Sequence, residues 1–381
     1  MFLEWKTNYF KNLNLFVPLL TLMIIIIGFI VLSSAVEINN PEQGGMNLIY
    51  RQLTAAVLGL GFIFLMQFID YRKLKYFHIT FYVLTIGLLV YILFSAEQIG
   101  GARRWLSWGW FRFQPSEFAK IFVVLFLASY LEKKEDELQT LKGFLKPFIL
   151  ISVPFVLILL QNDLGTALIL LFIFLAMLFV AGANRKMLLV FIGALLLITV
   201  LIIVSQLFLE VQVPFLQEYQ INRLLIFINP GIDPQGSGYN VIQSLIAVGS
   251  GGFSGKGWFA GTQNQLNFLP EKHTDFIFAV FGEEFGFIGV SVLLILYFFL
   301  LSQFINIALE IKDKYGKLII TGIAAMFFFH IFENIGMSMG LMPITGIPLP
   351  FLSYGGSSMV AFLIGIGLII NVNIHRKKLG F

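Results

Sequence analysis

Ten long, nearly uninterrupted apolar runs occupy the chain, at 15–35, 50–69, 76–94, 114–131, 147–160, 164–181, 187–209, 276–301, 318–338 and 353–373. Crossing a hydrocarbon layer about 30 Å thick takes roughly 20 residues of α-helix, so these runs predict ten transmembrane helices. Strands of a membrane β-barrel alternate apolar and polar residues over about ten positions, a pattern absent here. The predicted fold class is therefore all-α, a polytopic integral membrane protein. The fifth run is short, and only Gln161-Asn162-Asp163 separates it from the sixth, which fits either a tight hairpin or a broken helix. Composition points the same way: 58% of the 381 residues are apolar and 12% charged, against about 45–50% and about 25% in soluble domains. Abundant Phe and Gly suit helices that face lipid with aromatics and pack through small residues. With no cysteine, a disulfide-stapled secreted domain is disfavoured, as are a soluble metalloenzyme and a nucleic-acid binder.

Lys and Arg collect in alternate connections, and cytoplasmic loops are the ones enriched in them. With the N-terminus inside, the inner segments hold Lys6 and Lys11; Arg72, Lys73 and Lys75; Lys133, Lys134, Lys142 and Lys146; Arg185 and Lys186; Lys312, Lys314 and Lys317; then Arg376, Lys377 and Lys378. Seventeen of the 25 basic residues are thereby inside, and both termini are predicted to be cytoplasmic. The other eight, Arg51, Arg103, Arg104, Arg112, Lys120, Arg223, Lys256 and Lys272, fall at outer helix ends or in outer loops. The first span is too long for a usual signal-peptide core and is expected to be an uncleaved anchor. No repeat or low-complexity linker divides the chain, so 1–381 reads as a single transmembrane domain. Its one large extracytoplasmic loop, about 210–275, has too many aromatic and aliphatic residues for a plain disordered linker.

Charged residues are scarce enough to be weighed individually. Asp275 closes the long loop just before the eighth run. It is either a helix N-cap, its carboxylate taking backbone N–H groups at the positive dipole end, or a carboxylate base that the helix end keeps ionised and weakly basic. His273 and Asp275 are spaced to share a divalent cation, a two-ligand signal of low specificity. Pro115 and Glu117 form an ordinary helix start, but Lys120 lies a turn deeper on the same face, in an apolar helix where ionisable groups face a partner or a cavity. With Arg103 and Arg104 on that outer side, an anionic substrate becomes plausible, because arginine forks match phosphate oxygens. Asp163 at the turn between the fifth and sixth runs reads as a cap. Arg223, Asp233 and the Gly- and Pro-bearing stretch to Tyr239 lie in the long loop, where such residues make turns. Glu283, Glu284, His330 and Glu333 sit inside spans and are functional candidates, with structural hydrogen bonding as the rival; a proton path in a transporter would also use them. The stretch 249–257 imitates a phosphate-binding loop but has Ser250 where Gly and Gly257 where Ser or Thr is required, which leaves flexible packing or a close approach to lipid head groups as its reading.

Several of these segments together resemble the SEDS family of shape, elongation, division and sporulation proteins, over most of the chain. The resemblance rests on Gly101-Ala102-Arg103-Arg104-Trp105, Gln114-Pro115-Ser116-Glu117, Asp163-Leu164-Gly165-Thr166-Ala167, Asp233-Pro234 with Gly238-Tyr239-Asn240, Leu269 to Phe278, and Pro348 to Ser357 with its Ser353-Tyr354-Gly355-Gly356. Gly261-Thr262-Gln263-Asn264-Gln265-Leu266-Asn267-Phe268 favours the family's elongation branch over its division branch. Asn162 departs from the family, which often has Pro there.

The resemblance implies a ten-helix peptidoglycan glycosyltransferase that polymerises lipid II on the outer face of the bacterial inner (plasma) membrane. It implies Asp275 as the essential carboxylate, Glu117 and Lys120 lining a central cavity, and Arg103, Arg104, Asp163 and Arg223 nearby, with Lys272 and His273 beside Asp275 as further substrate-binding candidates. Implied partners are a class B penicillin-binding transpeptidase and rod complex components, besides the lipid bilayer. The polyprenyl diphosphate supplies its own leaving group, so no nucleotide is needed; a divalent cation, magnesium or manganese, is the one cofactor candidate. The competing readings are a lipid-linked precursor flippase or proton-coupled permease using Glu283, Glu284 and Glu333, and a non-catalytic scaffold.

Overall fold

The computed structural model describes residues 15–36, 45–95, 104–108, 111–209 and 218–375. In chain order they form α1 (Phe16–Ala35), α2 (Gly45–Met66), α3 (His78–Ser95), an antiparallel hairpin of β1 (Leu106–Trp108) and β2 (Phe111–Phe113), α4 (Pro115–Lys133), α5 (Leu141–Leu160), α6 (Leu164–Val180), α7 (Arg185–Leu209), α8 (Glu218–Ile228), α9 (Ser237–Ser250), α10 (Thr262–Gln265), α11 (Ile277–Glu310), α12 (Lys314–Ser338) and α13 (Gly356–His375). Each of the ten apolar runs coincides with one long helix, as a chain in hydrocarbon requires, because only a helix satisfies its own backbone there. Eight of these helices are long and apolar enough to cross a membrane. Of the other two, α6 has 17 residues and α4 carries Glu117 and Lys120 in its first two turns. The protein is thus an all-helical, multi-pass membrane protein apart from the small hairpin, whose three-residue strands are too short to show alternation in sequence.

Helix α5 starts at Leu141 rather than 147 and has 20 residues; the Thr140 hydroxyl caps it by accepting from the Gly143 N–H. The α5–α6 junction is a hairpin turn in which Asn162 adopts φ 60° and the Asp163 N–H returns to the Ile158 carbonyl at 3.3 Å. Asparagine tolerates this left-handed conformation, whereas proline is fixed near −65°. A SEDS chain with Pro at this position needs a differently shaped turn. In the long loop, α8, α9 and α10 replace much of the expected connection, and Ile226 of α8, Val241 of α9 and Leu269 are buried.

Burial ranks the spans. The apolar window of α13 is 94% buried and that of α7 only 6%, so α13 is central and α7 peripheral. Helix α12 packs against α4, α6, α11 and α13, and α13 against α2.

Helix α11 is broken at Gly286, which has φ 63° and ψ −163°. The glycine-rich segment 251–257 fills the break. Lys256 and Gly257 donate their N–H groups to the Glu283 and Glu284 carbonyls at 3.0 Å each, while Phe287 and Ile288 donate to the Gly252 and Phe253 carbonyls at 2.9 and 3.1 Å. A segment that imitates a phosphate loop therefore serves as the hydrogen-bond partner of an interrupted membrane helix. A Cβ at Gly286 would lie 2.2 Å from the Gly255 nitrogen, and its backbone angles belong to a region open only to glycine. Gly286→Ala is expected to cost several kcal/mol, read as a lost monodisperse peak and a lowered melting temperature in detergent.

Candidate active site

Asp275 lies two residues before α11, whose N-cap is Phe276, with no side chain capping the helix. The capping expectation fails, and the carboxylate is left for other work. What fixes Asp275 is its backbone. Glu271 turns the chain with φ 48°, and its carbonyl accepts from the N–H groups of Thr274, Asp275 and Phe276. Three successive carbonyls are then held from outside: His273 by the Tyr354 N–H at 2.8 Å, Thr274 by the Ser353 hydroxyl at 2.6 Å, and Asp275 by the Asn334 side-chain amide at 2.8 Å. The same amide also donates to the Ile347 carbonyl at 2.8 Å. Gln52 of α2 clasps the other side of the segment, donating to the Ser353 carbonyl at 3.1 Å and accepting from the Gly355 N–H at 3.0 Å. Ser353-Tyr354-Gly355, known from sequence only as a motif, is the clamp on the Asp275 loop.

The half-buried Asp275 carboxylate rests against Gly346, where a Cβ would come within 3.1 Å of Oδ2. Burial, and then the Glu271 carboxylate, push its pKa up to about 6, against the pull of Arg104, Arg223 and a Thr274 hydrogen bond. The expectation of an ionised, weakly basic group gives way to a stronger base, because desolvation outweighs the helix end. Arg223 on α8 donates to the Thr345 carbonyl at 2.9 Å and lies 5.6 Å from the Tyr219 ring centroid; burial and Arg104 lower its pKa. Arg104 pairs with Asp163 at 3.6 Å. Asp163 also caps α6 through the Thr166 N–H and accepts from the Gln114 amide at 3.3 Å, so its predicted capping role and its place in the site coexist.

Deeper in the bundle, Lys120 is fully buried. Its ammonium donates to Glu117 Oε2 at 3.0 Å and meets His330 Nε2 at 2.8 Å, and His330 Nδ1 lies 3.0 Å from the Pro348 carbonyl. One turn along α12, Glu333 is 1% exposed, with the Thr345 side chain, Asp275 and Arg223 as its electrostatic neighbours. The sequence placed Glu333 among transporter candidates, and the structure brings it to Asp275. Its i, i+3 spacing from His330 inside an apolar span was the available signal. Asn334 and Ser353 had none, since each acts across the fold.

The remaining predicted residues are placed as follows. Lys272 donates to the Asn264 carbonyl and Asn267 Oδ1 at 2.7 Å each, bracing the loop. The His273 ring, its pKa lowered by burial, lies 5.9 Å from that of Tyr354. Arg103 is outside the described residues. Glu283 and Glu284 are absorbed by hydrogen bonding: the former accepts from Lys256 at 2.7 Å and the Gln263 and Asn264 N–H groups, the latter from Ser34 and Asn264. Among the described residues no group of three or more His, Asp or Glu side chains is placed to hold a metal ion. Burying a carboxyl in an apolar span carries a desolvation cost, so Glu333→Leu is expected to raise the melting temperature in detergent.

The chain matches the cell cycle protein family of FtsW, RodA and SpoVE over residues 14–378. It is 36% identical over 360 residues to the peptidoglycan glycosyltransferase MrdB of Escherichia coli, covering 94% of each chain. To the peptidoglycan glycosyltransferase RodA of Treponema pallidum it is 35% identical, covering 86% of this chain and 89% of the relative. Among solved structures, it is similar to a chain of a peptidoglycan synthase complex, described as coordinating polymerization and crosslinking, with a TM-score of 0.79 at 36% identity over 95% of this chain and 97% of the other. Likewise, the rod shape determining protein RodA of Thermus thermophilus gives a TM-score of 0.70 at 31% identity, covering 96% and 98%.

Proposed function

Because the chain belongs to the FtsW, RodA and SpoVE family of cell cycle proteins and is a peptidoglycan glycosyltransferase, we propose that it polymerises lipid II at the outer face of the bacterial inner membrane during cell elongation, with Asp275 as the catalytic base. The observation that carries this reading is a partly buried carboxylate, anchored through three consecutive carbonyls and flanked by Arg104 and Arg223. The acceptor sugar hydroxyl attacks the anomeric carbon of the donor, and its proton passes to Asp275. The bond from that carbon to the diphosphate oxygen breaks on the opposite face, its electron pair leaving with the polyprenyl diphosphate, and the anomeric centre inverts. Arg223 and Arg104 offset the charge on the departing diphosphate, with Lys120 as a further cation held by Glu117.

Elongation rather than division is supported by the 261–268 segment and by the similarity to MrdB and RodA. The likeness to a chain of a peptidoglycan synthase complex supports a class B penicillin-binding partner, within a rod complex. Distribution of Lys and Arg supports cytoplasmic termini. Since the chain has no native cysteine, Leu266→Cys is expected to react with an impermeant maleimide in intact cells and Asp136→Cys only after lysis; the reverse pattern overturns the orientation.

Purified protein given lipid II in detergent is expected to form moenomycin-resistant glycan strands, and Asp275→Ala to lower the rate by about 10²–10⁴, the worth of a general base. A folded Asp275→Ala protein that polymerises normally overturns the base assignment. If the native protein makes no strands but moves labelled lipid II across vesicle membranes, a flippase replaces the enzyme reading. The base must be ionised, so the rate is expected to fall as pH drops through about 6. Stability runs the other way. A carboxyl raised above its ordinary 3.8 binds its proton more readily in the folded state, so ionisation removes stability as pH climbs from about 4 to about 6. Asp275→Asn is therefore expected to melt higher than the native protein above pH 6.

A further inference from the structure

His330 is fully buried on α12, and its two ring nitrogens have different partners. Nδ1 lies 3.0 Å from the Pro348 carbonyl. A carbonyl oxygen only accepts, so Nδ1 carries the hydrogen and Nε2 presents a lone pair. That lone pair lies 2.8 Å from Lys120 Nζ, and the ammonium donates to it. Phe362 holds the arrangement in place: its ring stands edge-on to the imidazole at 4.8 Å between centroids and 84° between planes, and Lys120 Nζ is 5.8 Å from its centroid. An ammonium has three N–H donors. Glu117 Oε2 takes one at 3.0 Å and His330 a second, and no third acceptor is present among the described residues. Lysine is otherwise a flexible point charge on a four-carbon stem; two acceptors from two helices leave this one a single donor direction.

We propose that His330 is a positioning residue for glycosyl transfer, its Nε2 lone pair fixing the Lys120 ammonium so that the one remaining N–H meets an anionic oxygen of the lipid-linked diphosphate. This rests on the reading in which Lys120 helps to offset diphosphate charge. The hydrogen bond to Pro348 is the device that sets the tautomer and turns the lone pair toward α4; it also joins His330 to the 345–353 stretch, which carries the clamp on the Asp275 loop.

Asparagine and glutamine separate the two halves of this arrangement. His330→Asn places an amide near the Nδ1 position, where it donates to Pro348 but leaves Lys120 with Glu117 as its one acceptor. His330→Gln reaches the Nε2 position and accepts from Lys120, giving up Pro348. Glycan synthesis from lipid II is measured at saturating and subsaturating substrate, and folding by melting temperature in detergent. H330Q is expected to keep turnover within about threefold of the native enzyme, and H330N to lose about 10- to 100-fold while melting near the native protein, as a misplaced catalytic group does. Should H330N retain turnover while H330Q loses it, or should the two folded variants lose it equally, His330 does not position Lys120. Lys120→Met, assayed alongside, is expected to lose at least as much as H330N. Full activity in K120M removes the Lys120 role itself, whereas loss in K120M beside native turnover in H330N removes only the His330 assignment.

Discussion

Backbone polar groups inside a hydrocarbon layer must find partners within the protein, and the site exists because two interruptions of helical structure satisfy this rule differently from the rest of the bundle. At Gly286 the freed groups of α11 are taken by the glycine-rich segment 251–257. Between α12 and α13, residues 340–355 run without regular structure; they spend their donors on the loop that carries Asp275 and receive Gln52 and Asn334 in return. Non-helical backbone is tolerated within a membrane only where protein or a water-filled cavity surrounds it. Segments that answer this demand are the ones that hold the Asp275 carboxylate.

Charge is distributed by the same economy. Asp163 is engaged by Arg104, by the α6 N-terminus and by Gln114, so it is well compensated. Asp275 receives only partial compensation from Arg104 and Arg223 while burial and Glu271 oppose its ionisation. Two aspartates a few residues from helix starts thus differ in kind: the compensated one stabilises a turn, and the undercompensated one retains basicity. Glu117 and Lys120 form a third case, a buried pair whose cation has a second acceptor in His330.

Features set by local pattern were legible in the sequence. Apolar runs located all ten long helices, i, i+3 spacing joined Glu117 to Lys120, and the residues around Asp163 announced a cap. Asp275 was misjudged in one respect because spacing shows that an acidic residue precedes a helix, and cannot show that Phe276 takes the cap position. Contacts between distant segments were the least visible. Lys120 meets His330 across 210 positions and Glu284 meets Ser34 across 250, and no periodicity encodes either. The 249–257 glycines read in sequence as flexible packing or an approach to lipid head groups, and only the break at Gly286 explains why they must be small. Three-residue strands and the φ 60° turn at Asn162 are likewise decided by neighbours rather than by their own composition.

A carboxylate secured by its own carbonyl and the two before it has little freedom to travel. On the reading of Asp275 as base, proton acceptance is stationary, and the moving parts are the sugar chains. Each addition then requires the growing strand, still attached to its lipid, to advance by one repeat past a fixed point while a new lipid-linked unit arrives on the other side. Lateral sliding of polyprenyl tails in the bilayer, rather than the swing of a protein arm, becomes the stroke of the polymerising cycle.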